Sequence, residues 1–442
     1  MAQKPYTNSG QGHSENPKPL IGFAGLTHLG LNSAVASAVR GFRVVGYHDD
    51  PALIKQLQSG VPHVLEPGLP KLLAKHREQL TFSRDPKNLS KCDIVYIAVD
   101  VPTDDRGASD LTPIHEMIKT AASVMRADSL LVILCQVPPG FTRQIEWPAK
   151  YLFYQVETLV FGRAVERALY PERFILGCAD PGQPQDERLL NYLEAFECPI
   201  LPMRYESAEL AKISINMCLV ASVSVANTMA EICEHIGADW SEIIPALRLD
   251  RRIGQYSYIN PGLGISGGNL ERDLATVLRI SESYNTDAGT VSAWLANSRY
   301  RKNWPYKMLE QMVLKKNPRA SIAILGLAYK ENTHSTKNSP AFILIERLTT
   351  CKVTVYDPVV PVTIVGDHVI GAASALEAIK GANALVIITP WPEFKNIRPI
   401  DIKTRMKGNV VIDPYRMLDA NDVEAAGLVY AALGISTLII KR

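Results

Sequence analysis

A chain of 442 residues, 47% of them hydrophobic, is too long for one core and has apolar material for two or three, at about 150 residues each. A net charge of +2 with acids and bases interspersed offers no field for nucleic acid or an anionic membrane, so a small-molecule ligand is the expectation. Seven cysteines scattered singly, with no CxxC pair and no histidine at ligand spacing, read as buried thiols of a reducing compartment and exclude a zinc site.

The polar opening, residues 1–18, has no apolar core of a signal peptide and reads as a disordered tail, and no continuous apolar run reaches the ~18 residues of a membrane span. A cytoplasmic protein is expected. The run Leu20 to Leu26 reads as a strand, Ser33 to Arg40 as a helix and Phe42 to Tyr47 as a second strand, a β-turn-α-β unit; further strands follow at Ile94 to Val99 and Leu130 to Cys135. Such alternation predicts a parallel sheet covered by helices on both faces. Ser207 to Gly237 reads as one long apolar helix, buried between domains or subunits. A second helical stretch runs from Asp273 to Val313. A second α/β set closes the chain: strand Ala320 to Leu327, helix Ala341 to Leu348, strand Lys352 to Tyr356, helix Ala375 to Ile379, and strands Ala384 to Thr389 and Asn409 to Asp413. The fold class is therefore α/β, two Rossmann-like domains with parallel sheets joined by a long central helix.

The segment Gly25, Leu26, Thr27, His28, Leu29, Gly30 sits where a dinucleotide fingerprint would, with Thr27 in place of the second glycine. Alone it reads equally well as a plain strand-helix turn. Past the second strand come His48, Asp49 and Asp50; either Asp49 takes a ribose 2′-hydroxyl or His48 faces it, and a solvated acidic loop is the bland alternative. No arginine adjoins this position in sequence, which favours NAD over NADP. Val99, Asp100, Val101, Pro102 and Thr103 end a strand where a cofactor would lie, though an ordinary turn fits too. Lys212 and Asn216, four apart, share one face of the long helix, where they are costly to bury unless they meet a ligand or partner.

These features, with LEPGL (65–69), VPPG (137–140), YPERF (170–174), ELAKISIN (209–216), DRRIG (250–254), the glycine loop PGLGISGGNLERD (261–273), ILGLAYK (324–330), VYDP (355–358) and DPYR (413–416), resemble the nucleotide-sugar 6-dehydrogenases from Leu20 to the chain's end. The resemblance implies an NAD-binding domain over 19–204, a central helical dimerisation and substrate domain over 205–315, and a UDP-sugar-binding domain over 316–442. It implies a homodimer through the central helix, with no metal, no nucleic acid and no membrane. The catalytic positions it implies are Lys212 for the oxyanion, Asn216 beside it, Asp273 for proton transfer and Glu172 near the reaction centre. The substrate positions are Arg173, Phe174, Arg252, Tyr258, Gly262, Gly264, Tyr329, Lys330, and Lys337 in place of an arginine.

Two departures fall on one half-reaction. The family's catalytic cysteine, four residues before the aspartate, is Asn269 here, and the family's Ser-Thr pair before the VP turn is Cys135-Gln136. An amide nitrogen cannot form a thioester. Three functions are therefore carried: hydride transfer at C6 of a UDP-hexose without covalent catalysis, giving an aldehyde, its hydrate or a transient oxidised intermediate; full oxidation to the acid through an aldehyde hydrate; and a sugar-nucleotide-binding protein without catalysis.

Overall fold

The computed structural model describes residues 17–104, 107, 109–366 and 368–436, which form two compact units dividing between Ile215 and Asn216. The expected tail, except for its last two residues, lies outside the described residues.

The first unit carries an eight-stranded sheet. Its strands are β1 (Ile21–Ala24), β2 (Val44–Tyr47), β3 (Leu80–Ser83), β4 (Ile94–Ile97), β5 (Leu130–Ile133), β6 (Leu152–Gln155), β7 (Phe174–Cys178) and β8 (Ile200–Arg204), in spatial order β3-β2-β1-β4-β5-β6-β7-β8. β1, β2, β4 and β5 are buried at every position, so their sequences are unbroken apolar runs. All neighbours run parallel except β6 and β7, a departure from the expected all-parallel sheet. β1 is shorter than the run Leu20 to Leu26 because Gly25, at φ 98°, turns the chain. The helix after it starts at His28, five residues before the expected start, because the turn feeds it directly.

The second unit has six parallel strands, β9 (Ser321–Leu325), β10 (Lys352–Tyr356), β11 (Val369–Gly371), β12 (Ala384–Ile387), β13 (Val410–Ile412) and β14 (Val429–Ala431), ordered β11-β10-β9-β12-β13-β14. The stretch Asp273 to Val313 divides into helices Asn269–Tyr284, Gly289–Lys302 and Trp304–Leu309, followed by a π turn. Asn285, left-handed at φ 52°, ends the first of them. The turn after β9 repeats the geometry of the turn after β1, with Gly326 at φ 98°. Here the carboxylate of Asp357 fills the turn: its Oδ2 accepts from Leu327 N, Ala328 N and Trp391 Nε1, and its Oδ1 from Val359 N and Val360 N. Arg416, from the DPYR segment, forms a bidentate pair with Asp239, the N-cap of helix Trp240–Leu249.

The helix Tyr205–Ile236 is continuous over 32 residues. By length and composition it is apolar enough to cross a membrane, although no unbroken apolar run announces this. Protein groups nevertheless serve its polar side chains at intervals. Glu209 accepts from Gly140 N and Thr142 N, Asn227 from Gly262 N, Glu231 from Tyr300 Oη, and Glu234 from Trp304 Nε1 and Gly434 N. Polar groups met by protein along the whole length mark a helix packed within protein. Leu210, Val225, Met229, Ile232 and Ile236 on the same helix are exposed in the single chain.

Candidate active site

The turn after β1 is a cradle that two absent side chains make possible. A Cβ on Gly25 would lie 2.6 Å from Val99 Cγ1, and one on Gly30 would lie 2.0 Å from the Gly25 carbonyl oxygen. The helix must therefore come this close to the strand end, and its first amides face outward for an anion. Thr27 is the N-cap but makes no cap bond; its hydroxyl donates to Ala98 O at 3.2 Å and does not point to a phosphate. Leu26 and Leu29 are buried in the core below. His28 Nε2 meets the buried carboxylate of Glu66 at 2.7 Å, and Glu66 also accepts from Gly162 N and Ala164 N. LEPGL is thus an internal tie holding the cradle's rim.

At the end of β2 the three candidates separate. Asp50 caps helix Pro51–Gln58 through Ala52 N and Leu53 N, while Asp49 is 81% exposed and lies 3.1 Å from His48 Nδ1. His48 N bonds Ser83 O on β3, and Arg84, the next residue, donates from Nε to Asp49 O at 3.3 Å. An arginine that the sequence places 36 residues from His48 is thus its spatial neighbour. His63, which sequence reading passed over, joins this corner. Its pKa is lowered by partial desolvation and then by His48, with His28 acting the same way and Asp100 and Asp50 opposing.

Val99 is buried at the end of the β4 run and its N–H bonds Cys135 Sγ at 3.3 Å; Asp100 beyond it is exposed. Asp110 N returns to Pro102 O, and Thr103 Oγ1 donates to Val101 O, closing the loop on itself. The Cys135 thiol donates to Ile97 O and is fully buried, which pushes its pKa up to about 12. It serves the sheet edge and cannot stand in for the missing nucleophile. Gln136 follows at the strand end, half-buried.

Lys212 is held by a residue that the motifs did not indicate. Its Nζ donates to Glu157 O at 2.7 Å, with the Glu157 carboxylate 4.0 Å away and both side chains largely buried. Glu172, expected near the reaction centre, is instead 63% exposed and pairs with Arg173 at 2.8 Å and Arg167 at 3.4 Å. Phe174 is a buried residue of β7, edge-on to Phe196, and it lines the same cavity as Arg173. Arg173 does line one cavity with Glu157, Gln155, Thr158 and Arg167. The signal that could have found Glu157 is its place just past β6, at the sheet's carboxyl edge.

In the second unit the glycine loop is built by its own contacts. Gly264 (φ 79°) passes Ser298 so closely that a Cβ would lie 2.4 Å from its carbonyl oxygen, and Ser298 Oγ accepts from Ile265 N. Gly267 (φ 79°) packs under the Tyr329 ring and donates to Lys337 O, and the Lys337 stem lies over Gly268. Gly262 faces open space. Burial pushes the Tyr329 phenol up to about 12, with Glu331 and exposed Tyr258 adding to it. The Lys330 ammonium sits 5.9 Å from the Tyr329 ring. Arg252 is 90% exposed and paired with Asp250. Asn269 is exposed and is the first residue of helix Asn269–Tyr284, after Gly268 at the N-cap. One turn on, the same face carries Asp273, 2% exposed, whose Oδ2 accepts from Asn216 Nδ2 at 2.5 Å. Among the described residues no cluster of His, Cys, Asp and Glu could hold a metal ion.

Three family models match this chain in succession: the NAD binding domain over residues 20–192, the central domain over 206–299 and the UDP binding domain over 323–420 of the UDP-glucose/GDP-mannose dehydrogenase family. The chain belongs to the UDP-glucose/GDP-mannose dehydrogenase family. Within it, UDP-glucose 6-dehydrogenase TuaD of Bacillus subtilis is 30% identical over 94% of this chain and 93% of its own. The solved UDP-glucose dehydrogenase of Pyrobaculum islandicum superposes with a TM-score of 0.80 at 26% identity, over 93% of this chain and 98% of its own. The UDP-D-ManNAc dehydrogenase of Pyrococcus horikoshii gives 0.79 at 25%, over 94% and 99%. This dehydrogenase family's cofactor is NAD, and the cradle at Gly25 and Gly30 has the open backbone a dinucleotide needs.

Proposed function

We propose that the protein oxidises C6 of a UDP-hexose with NAD by a non-covalent route, and that it stops at the aldehyde, its hydrate or a transient oxidised intermediate. The observation that carries the reading is Asn269 as first residue of its helix, one turn from a buried Asp273 that Asn216 holds. Bound NAD supplies the acceptor for hydride from the carbinol carbon. The amides at the N-terminus of helix His28–Val39 bind its pyrophosphate, and Val99 to Thr103 bound the seat. Asp273 takes the hydroxyl proton, oriented by the Asn216 amide. Lys212, fixed by the Glu157 carbonyl, offers its remaining protons to the oxygen as charge builds there. Asn269 donates a hydrogen bond to the C6 oxygen and forms no covalent bond, so the aldehyde is not retained as a thioester. Tyr329, Lys330, Lys337, Gly262 and Gly264 seat the sugar nucleotide, with Arg252 reaching the substrate of a second copy. That copy docks on the central helix through Leu210, Val225, Met229, Ile232 and Ile236. Seven free thiols suit a reducing compartment, and we place the protein in the cytoplasm.

UDP-glucose and a UDP-N-acetylhexosamine are the two substrates to try, because similar solved proteins carry both kinds of name. The test counts NADH per product, with hydroxylamine to trap carbonyl. One NADH per trapped aldehyde is expected, or a rearranged sugar with no net NADH if the hydride returns. Two NADH per carboxylate would overturn the non-covalent two-electron reading. No turnover, with a thermal shift from UDP-sugar alone, would make the chain a binding protein.

A further inference from the structure

The corner of the cofactor seat at the end of β2 has the wrong charge for a bare ribose. In a dinucleotide fold this place normally holds a carboxylate that accepts from the 2′-hydroxyl, whereas an arginine nearby accommodates a 2′-phosphate. Here the first position past β2 is His48. Its Nδ1 accepts from Asp50 N at 3.1 Å, so the neutral ring carries its proton on Nε2 and offers a donor on its far side. β2 and β3 pair in register, Tyr47 with Ser83, so the next residues, His48 and Arg84, emerge side by side. Arg84 is exposed and spends only Nε, on Asp49 O, which leaves the terminal nitrogens of its fork for another acceptor. His63, in the loop before Glu66, lies near enough for His48 to lower its pKa. Of the acids nearby, Asp50 is committed to two helix amides, Asp49 is 81% exposed and its charge is screened by solvent, and Asp100 is exposed beside His63.

We propose that this corner, through Arg84 and His48, accepts a 2′-phosphate, so that the protein binds NADP(H) alongside NAD(H). A guanidinium fork and an imidazole donor match the oxygens of a phosphate monoester, and neither can accept from a hydroxyl as a carboxylate does. Asp49 adjoins the same corner, where Arg84 lies at its backbone and solvent screens its exposed carboxylate. The inference rests on the cofactor seat alone and is independent of the sugar chemistry at Asn269.

Fluorescence titration of the full chain with NADH and NADPH, without sugar, tests it. An NADPH dissociation constant within tenfold of that for NADH is expected at pH 7, and a larger gap in favour of NADH would overturn the proposal. Arg84→Ala should weaken NADPH at least tenfold more than NADH; equal losses would assign Arg84 to the fold and refute its role. His48→Asp, which restores a carboxylate, should move the ratio tenfold or more towards NADH, and an unchanged ratio would count against the assignment. Because turnover is not read, loss of sugar oxidation would leave these outcomes intact.

Discussion

Replacing Glu157 by Gln should slow the reaction while replacing Glu172 by Gln should barely affect it. Lys212 Nζ is 4.0 Å from the Glu157 carboxylate, with 13% and 21% of the two side chains exposed. At an effective dielectric of ~20 two unit charges at that distance attract by roughly 4 kcal/mol, and partial solvent access reduces this to about 1.5–3 kcal/mol. The carbonyl bond to Nζ survives the substitution, so Lys212 keeps its anchor but loses the charge that fixes its orientation. If that attraction is spent on holding Lys212 against the developing oxyanion, kcat falls on the order of ten- to a hundredfold with KM little changed. Glu172 is 63% exposed and its arginine pairs lie at the surface, so its loss should change the rate by about threefold or less. Initial rates of NADH formation at saturating UDP-sugar separate the two. A tenfold loss in Glu172→Gln with Glu157→Gln unaffected would refute the geometric argument and return the role to the YPERF motif.

Asn269→Cys places a thiol at the first turn of a helix, where the N-terminal field favours the thiolate. Its alkylation should titrate below the ordinary ~8.5 of cysteine, and NADH per product should rise from one towards two; a midpoint at or above that value would count against the local field. Asp239→Asn removes the charge that Arg416 grips. Burial alone would raise the Asp239 pKa, but hydrogen bonds from Arg416 and Ser241 outweigh it and hold the carboxyl below its usual value. A depressed acid stabilises above its unfolded pKa and loses that contribution as pH falls through the folded value. Denaturant titration should show a loss of about 1–3 kcal/mol at pH 7 that shrinks below pH ~4, and a loss that grows with acidity would contradict the sign.

Strands β1, β2, β4, β5, β9, β10, β12 and β13 and the long helix were legible because buried parallel strands are largely apolar runs and the helix has few breakers, whereas β3, β6, β7, β8, β11 and β14 were not. The helix starts were less so. Asn269 opens its helix straight from a glycine without a side-chain cap, and Thr27, the N-cap before His28, spends its hydroxyl on Ala98 O and not on a helix amide. Within the site, residues in the same motif or one helical turn apart were readable, as with Asp273 four residues after Asn269. Partners brought together by strand register were not: Arg84 reaches the Asp49 carbonyl from the end of β3, and Glu157 reaches Lys212 from beyond β6. Glu172 misled because a short motif carries residue identity without exposure, and its carboxylate faces solvent.

The carboxylate of Asp357 has a kinetic corollary. In the second Rossmann-like unit the turn amides that would greet a pyrophosphate are already bonded to it, so the crevice at that switch point is occupied by the chain itself. With that turn closed to a dinucleotide, a second oxidation at the seat after β1 would require spent cofactor to leave and fresh cofactor to arrive. Between those events an enzyme with a thiol keeps its aldehyde tethered. On the proposed non-covalent route the aldehyde would be held by hydrogen bonds alone, and its escape before cofactor exchange would end the oxidation at two electrons.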